Sequence, residues 1–152
     1  MKIKSNRSIL LVEDNPDDVE LTILALKNHN ILNKIDVARD GEEALDYLFR
    51  RGNFIERDPD DMPAVVLLDL KLPKVSGLEV LEQIRENKFT KYLPVVILTS
   101  SNEDQDIVSS YKLRANSYIH KPVDFHQFSK VVKDLGLYWL ILNEPMPKIE
   151  RT

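Results

Sequence analysis

Short apolar runs recur along the chain, each bounded by polar residues or by proline. Three of them consist almost entirely of Val, Ile and Leu, which is typical of parallel strands that are buried on both faces. The pattern predicts five strands, at 8–13, 34–38, 64–69, 94–99 and 116–120.

Amphipathic segments separate these runs, and several of them begin with helix-start signals. A capping residue before proline, or a capping residue followed three positions later by Glu, satisfies free N–H groups in the first turn. Predicted helices start at Asn15-Pro16, at Asp40 and at Ser76, and two more lie near 103–113 and 124–142. The fivefold strand–helix alternation predicts an α/β fold, with a doubly wound parallel sheet and helices on both faces.

Two segments fall outside the alternation. Residues 51–63 form a polar, proline-marked loop that is longer than most connections. Residues 143–152 carry two prolines and are predicted to form an extended tail. We find no internal repeat, so we predict a single domain over 1–152 with its core at 8–142.

The amino-acid composition and net charge argue against several classes of function. The 152 residues carry a net charge of −4, which argues against nucleic-acid binding because phosphate contacts need a basic surface. There is no cysteine, which excludes disulfides and thiolate chemistry. The apolar runs are too short to cross a bilayer, and the start lacks a signal-peptide pattern, so no membrane association and a cytoplasmic location are expected.

Chemically active side chains lie where the predicted strands end. Asp69 ends one apolar run, Glu13-Asp14 ends another, Thr99 ends a third, and Lys121 follows the last. Because the carboxyl ends of parallel strands face one crevice, these groups are expected to form one site.

The charges of that site predict a metal. Two unit charges about 4 Å apart repel by roughly 4 kcal/mol at an effective dielectric near 20. Glu13, Asp14 and Asp69 therefore need a compensating cation, and Mg²⁺ suits carboxylate oxygens and commonly bridges them to phosphate. Lys121 adds an ammonium that can pair with carboxylate or phosphate, and Asp69 can then act as a nucleophile toward phosphorus.

These residues resemble the receiver domain of two-component response regulators over roughly 8–142. The resemblance implies that Glu13 and Asp14 bind Mg²⁺, that Asp69 is the phosphorylated aspartate, and that the backbone carbonyl of Lys71 completes the metal ligands. It also implies the flavodoxin-like strand order 2-1-3-4-5.

The same resemblance implies a conformational switch. Thr99 falls on the switch hydroxyl and Tyr118 on the switch aromatic, while Lys121-Pro122 falls on the family's Lys-Pro pair. A regulator of this kind is not an enzyme in the usual sense, because it accepts a phosphoryl group and loses it slowly by autodephosphorylation.

Two features narrow the resemblance. The segment Asn-Ser-Tyr-Ile-His-Lys-Pro-Val-Asp-Phe and the sequence Tyr-Trp-Leu-Ile-Leu-Asn-Glu-Pro resemble single-domain regulators paired with bacterial phytochrome-type sensor histidine kinases. No output module follows residue 152, so a stand-alone regulator that signals by contact or passes the phosphoryl group onward is expected.

Each residue also has an ordinary structural explanation. Asp69 could cap a turn, and Thr99 could cap the helix that begins near Glu103. Tyr118 could pack half-buried with a hydrated hydroxyl. Lys121 could be a surface lysine, although a cis bond to Pro122 could aim it at the crevice.

The last helix carries more apolar surface than one buried face needs. A stripe with heptad-like spacing is expected to cover the sheet, and its members are Phe128, Val132, Leu135, Trp139 and Leu142. The excess near Tyr138–Leu142 predicts a homodimer surface, and the alternative is that the tail folds back over it.

Two other functions compete with a regulator. A metal-dependent phosphohydrolase of the haloacid dehalogenase type also uses an aspartate nucleophile, but it places a second Asp two residues later, where this chain has Lys71. An inert dimerisation module does not explain why every expected site residue is present.

Overall fold

A computed structural model describes residues 6–147. Strands and helices alternate along the chain, and a 3₁₀ turn at Gly52–Phe54 lies in the long loop. The elements are β1 (Ile9–Val12), α1 (Pro16–Asn28), β2 (Ile35–Ala38), α2 (Gly41–Phe49), β3 (Val65–Leu68), α3 (Gly77–Glu86), β4 (Val95–Thr99), α4 (Asp104–Lys112), β5 (Ser117–His120) and α5 (Phe125–Leu137). All five predicted strands are present; each begins one residue later than predicted, and β1 and β3 also end one residue earlier.

The strands form one parallel sheet in the order β2-β1-β3-β4-β5. The predicted flavodoxin-like order is therefore confirmed. Side chains of β1, β3 and β4 are fully buried because they alternate between two apolar layers. Helices α2 and α3 pack on one face of the sheet, and α1 and α5 pack on the other.

Helix starts follow the capping signals of the sequence. The Asn15 side chain accepts the N–H groups of Asp17 and Asp18, and Asp40 accepts that of Glu43. Ser76 caps α3 by accepting the N–H of Glu79 at 3.3 Å. These caps fix the first turn of each helix next to the strand that precedes it.

The long loop is more ordered than its polar sequence indicates. The Arg57 guanidinium lies 3.6 Å from the ring centroid of Tyr47 on α2, and it also donates to the Tyr47 carbonyl. Phe54 meets the same ring edge-on, with centroids 5.5 Å apart. The loop thus packs against α2 through the buried side chain of Tyr47.

The predicted stripe of the last helix is wrong at its end. The α-helix stops at Leu137, and Tyr138–Leu142 continues as a π-helical turn. Because a π-helical turn advances about five residues instead of four, Leu140 takes the buried position after Leu135 and is fully buried. Leu142 is 52% exposed instead of covering the sheet.

The described part of the tail reaches only part of the Tyr138–Leu142 surface. Tail residues line a cavity with Ala64 and Pro94, at the amino ends of β3 and β4, and with Trp139; they are Asn143, Pro145, Met146 and Pro147. Arg7 donates to the Met146 carbonyl at 3.5 Å and holds the tail there. Tyr138 and Leu142 stay about half exposed, so 143–147 leave these two side chains uncovered, and 148–152 lie outside the described residues.

Within 6–147 no helix is both long enough and apolar enough to cross a membrane. The cytoplasmic location stays a prediction.

Candidate functional site

Asp69 directly follows β3 and is buried, at 7% exposure. One carboxylate oxygen, Oδ1, accepts hydrogen bonds from the Leu70 N–H at 2.7 Å and from the Thr99 hydroxyl at 2.6 Å. The other oxygen, Oδ2, lies 3.4 Å from the Lys121 ammonium. The two oxygens are therefore unequal, and Oδ2 is the one that faces the cation.

The backbone around Asp69 leaves no room for a side chain at the start of α3. A Cβ built on Gly77 would lie 2.2 Å from the Asp69 carbonyl oxygen, which is well inside contact distance. The Gly77 N–H donates to the Leu70 carbonyl at 2.9 Å. Gly77 thus lets α3 approach the segment that carries Asp69. The presence of one glycine in the sequence does not predict this role.

Two further carboxylates converge beside Asp69, as the strand ends predict. Glu13, Asp14 and Asp69 each offer an oxygen, and these oxygens lie within 4.8 Å of one another. Glu13 and Asp69 are buried while Asp14 is exposed, so the cluster opens to solvent on one side. An all-oxygen donor set at this spacing fits a hard divalent cation.

Lys121 lies at the centre of a wider acidic ring. Its ammonium donates to Glu13, to Asp18 at 2.9 Å and to Asp69 at 3.4 Å, with only 10% of the side chain exposed. The Lys121 N–H also donates to the Thr99 carbonyl at 2.7 Å, which ties the end of β5 to the end of β4. The described residues contain no cis peptide bond, so the suggestion of a cis bond to Pro122 is wrong.

Burial and charge act against each other in this ring. Burial raises the pKa of Glu13 to about 7, although the Lys121 ammonium and the Asn15 N–H favour its ionised form. For Lys121, burial disfavours the charge, but hydrogen bonds to Asp18 and Glu13 and the charge of Asp69 outweigh it and raise the pKa. Lys121 is therefore a permanent cation in the crevice.

Asp18 was missed by the sequence reasoning, which treated Asp17 and Asp18 alike as partners of the helix dipole. The spacing of residues along a helix distinguishes Asp18 from Asp17. Asp18 lies one turn before the buried Thr22, and Thr22 donates to the Asp18 carbonyl at 2.7 Å. The face shared with a buried residue is the signal that could have identified Asp18 rather than Asp17.

Thr99 and Tyr118, which the resemblance implies as the switch residues, both make specific contacts, and their role as a switch stays a prediction. Thr99 is fully buried and its hydroxyl donates to Asp69, while the N-cap residue of α4, Glu103, has no side-chain capping bond. The Tyr118 hydroxyl donates to the Ser101 carbonyl at 2.8 Å. The capping alternative for Thr99 does not describe this structure, because Glu103 is the N-cap residue of α4, whereas Tyr118 is half-buried as its ordinary explanation expects.

The remaining predicted ligand is Lys71, two residues after Asp69. Its side chain is exposed, and its N–H lies 3.4 Å from Asp69 Oδ1. That its carbonyl binds a metal stays a prediction.

Comparison with known proteins identifies the family. The model of one family, described as response regulator receiver domain, matches residues 9–133, which include the whole acidic ring. The chain belongs to the response regulator receiver family. Receivers take part in two-component signalling as partners of histidine kinases, and they are generally phosphoacceptors rather than enzymes in the usual sense.

Two curated receiver relatives match nearly the whole chain. The probable methanogenesis regulatory protein FilR2 of Methanothrix harundinacea is 41% identical over 132 residues, which are 87% of this chain and 83% of that protein. The response regulator Rcp1 of Synechocystis sp. is 39% identical over 132 residues, covering 87% of this chain and 88% of Rcp1.

Solved receiver structures agree with the fold. The Mn²⁺-bound form of Rcp1 is 35% identical, with a TM-score of 0.86 over 93% of this chain and 99% of that chain. The bacteriophytochrome response regulator AtBRR is 56% identical, with a TM-score of 0.72 over 91% of this chain and 98% of that chain. Receivers bind a divalent metal, and the carboxylate cluster of this chain fits one. The comparisons give no support to the haloacid dehalogenase alternative.

Proposed function

We propose that Asp69 accepts a phosphoryl group from a sensor histidine kinase in a Mg²⁺-dependent step, and that the phosphorylated receiver changes the partners it binds. The observation that carries this proposal is the asymmetry of Asp69. Thr99 and Leu70 hold Oδ1 at 2.6 and 2.7 Å, which leaves Oδ2 as the oxygen that can attack phosphorus.

Glu13, Asp14, Asp69 and the Lys71 carbonyl would hold the Mg²⁺, which supplies positive charge to the phosphoryl oxygens when it is bound. The distances between the three carboxylates support this assignment.

In the transfer, the bond from a phosphohistidine nitrogen to phosphorus breaks and a bond from Asp69 Oδ2 to phosphorus forms. The electron pair of the broken bond returns to the imidazole nitrogen. Lys121 offsets the charge of the equatorial phosphoryl oxygens, and backbone N–H groups after Asp69 and Thr99 can donate to them. In autodephosphorylation, water attacks phosphorus, the bond from Asp69 Oδ2 to phosphorus breaks, and inorganic phosphate leaves as the Asp69 carboxylate is regenerated.

The response to phosphorylation would start at Thr99. The Thr99 hydroxyl already donates to Asp69, so Thr99 can reach a phosphoryl oxygen without a large movement. Tyr118 contacts the carbonyl of Ser101, and the Ser101 hydroxyl donates to Asp106 of α4 at 2.6 Å. A small shift of Thr99 can therefore bias the loop between β4 and α4 between two arrangements.

The kinase partner is proposed to be of the phytochrome type. Similarity to AtBRR, whose name places it with bacteriophytochromes, supports this choice, whereas the name of FilR2 points to methanogenesis regulation. Val123 is fully exposed and Phe125 is 45% exposed directly after Lys121, which offers an apolar contact beside the crevice for a docking kinase.

A homodimer through the last strand and helix is the second part of the proposal. Tyr138 is 50% exposed and Leu142 is 52% exposed, while Trp139 lines a groove between α5 and the edge strand β5. Apolar side chains lie beside an edge of β5 that pairs with no strand of residues 6–147, and such a surface suits a second copy of the chain.

The direct test replaces Asp69 by Asn and measures labelling by acetyl phosphate with and without Mg²⁺. Wild-type protein should take up an acid-stable, base-labile phosphoryl group only with Mg²⁺, and Asp69→Asn should take up none. Asp104→Asn, an exposed acid in the first turn of α4, is the matched control and should label like wild type. Undiminished labelling of Asp69→Asn would reject the assignment.

A further inference from the structure

The ammonium of Lys121 is shared among carboxylates from three different parts of the fold. Glu13 follows β1 and Asp69 follows β3, whereas Asp18 lies in the first turn of a helix. The nitrogen is 2.9 Å from Asp18 and 3.4 Å from Asp69, so it is nearer to the helix residue than to the proposed nucleophile.

Asp18 differs from the other two because it lies outside the carboxylate trio that fits a metal. Glu13 and Asp69 would share their oxygens between Lys121 and a divalent cation. Among the described residues, Asp18 is therefore the acidic partner of Lys121 that would not also bind the cation.

The position of Asp18 is well fixed. Pro16 starts α1, and the Asn15 side chain accepts the Asp18 N–H at 3.3 Å. One turn later the buried Thr22 donates to the Asp18 carbonyl. The carboxylate is consequently held by a capped helix start, and its side chain is 27% exposed.

We propose that Asp18 is a positioning residue for phosphoryl transfer, which anchors the Lys121 ammonium on the α1 side of the crevice. An ammonium has three N–H donors. Glu13 and Asp18 each accept one of these N–H groups. The third N–H is directed at Asp69 Oδ2, and the separation of 3.4 Å between Nζ and Oδ2 leaves that oxygen free to react.

Without Asp18, the ammonium would close on Asp69 Oδ2 and form a tight ion pair with the nucleophile. Pairing lowers the reactivity of the oxygen and misplaces the charge that the equatorial phosphoryl oxygens need. This inference rests on the proposed phosphorylation of Asp69.

The test measures phosphorylation by acetyl phosphate at saturating Mg²⁺ and separates the maximal rate from the half-saturating acetyl phosphate concentration. Asp18→Ala should lower the maximal rate about tenfold, with the Mg²⁺ dissociation constant from calorimetry changed less than twofold. Asp17→Ala is the matched control, because it removes the same charge from the neighbouring position of the same helix turn. It should stay within twofold of wild type in both quantities.

Two further variants test whether Asp18 acts through Lys121. Asp18→Glu should recover most of the rate, because its carboxylate can still reach the ammonium. In a Lys121→Ala background, Asp18→Ala should cause no further loss, whereas a merely structural role would give the same loss in both backgrounds. If Asp18→Ala does not fold, the nearly isosteric Asp18→Asn should show the same loss of rate.

An unchanged or faster maximal rate in Asp18→Ala, or an equal loss in the Lys121→Ala background, would overturn the inference. The proposed function fails by a different result, which is labelling of Asp69→Asn.

Discussion

At the scale of single residues, the buried carboxylates of the crevice accept hydrogen bonds from backbone and hydroxyl groups. Asp69 Oδ1 has a backbone and a hydroxyl donor, and Glu13 Oε2 accepts the Asn15 N–H at 3.1 Å. Buried carboxylates need such donors because burial without them costs several kcal/mol. These bonds stabilise the two buried carboxylates, although burial still raises the pKa of Glu13 to about 7.

The bond from Thr99 to Asp69 should be measurable in the stability of the metal-free protein. Thr99→Val keeps the side-chain shape but removes a hydroxyl that donates to a buried carboxylate, and such a bond contributes roughly 1.5–3 kcal/mol. Thr99→Ser keeps the hydroxyl and serves as the control. Urea unfolding should show Thr99→Val less stable than Thr99→Ser, and equal stabilities would contradict the bond.

Sequence reasoning located most of the site because strand ends are visible as the ends of apolar runs. Asp69, Glu13 and Thr99 were identified in this way. Asp18 and Gly77 were not, because their contacts depend on how α1 and α3 approach the sheet. Tertiary approach of this kind leaves only a weak trace in a single sequence.

At the scale of elements, the loop at 51–63 and helix α2 form one unit around Tyr47. The Tyr47 ring is buried, and its hydroxyl donates to Asp36 on β2 at 2.5 Å. Burial and the bond to Asp36 raise the pKa of Tyr47 to about 12 from its ordinary value of 10. The loop is thus linked through one side chain to the edge strand β2.

The raised pKa of Tyr47 predicts a pH dependence of stability. The folded state holds the phenol proton more tightly than the unfolded state, so this contribution is complete below pH 10 and is lost as the pH rises towards 12. Tyr47→Phe should cost about 1 kcal/mol at pH 7 and should not show this alkaline loss. Urea unfolding across the alkaline range measures the difference.

The control for that measurement is Tyr111→Phe, since Tyr111 is 53% exposed on α4. Its stability curve should run parallel to that of wild type. If Tyr47→Phe also ran parallel to wild type between pH 10 and 12, the linkage through Tyr47 would be wrong.

The end of the last helix shows where periodicity fails as a guide. Heptad spacing predicted Trp139 and Leu142 on the buried face, and it did not single out Leu140. The π-helical turn at Tyr138–Leu142 inserts an extra residue into the repeat and so moves the buried position by one. A backbone irregularity of this type has no residue signature comparable to a capping box.

At the scale of the whole molecule, the sheet separates three surfaces. The acidic crevice lies at the carboxyl ends of the strands, and the tail packs at the amino ends. The groove beside Tyr138 and Trp139 lies along the edge strand β5. Neighbouring residues Tyr118 and Ile119 of β5 pack into opposite core layers, so one strand contacts both the loop between β4 and α4 and the groove beside Tyr138 and Trp139.

The dimer proposal predicts a concentration-dependent increase in mass. Wild-type protein should associate in sedimentation velocity experiments, and replacing both Tyr138 and Leu142 by Ser should weaken the association at least tenfold by removing buried apolar area. Leu32→Ser, a 78% exposed leucine outside this surface, is the control and should behave like wild type. A wild-type protein that stays monomeric at high concentration would contradict the proposal.

The central claim is that Asp69 is the residue that carries the phosphoryl group. Borohydride reduces an aspartyl phosphate to homoserine, so peptide mass spectrometry after acetyl phosphate, Mg²⁺ and borohydride treatment identifies the modified position. Homoserine should appear at position 69, and omission of Mg²⁺ should abolish it. Homoserine at a different aspartate, or at none under conditions that label the protein, would contradict the account.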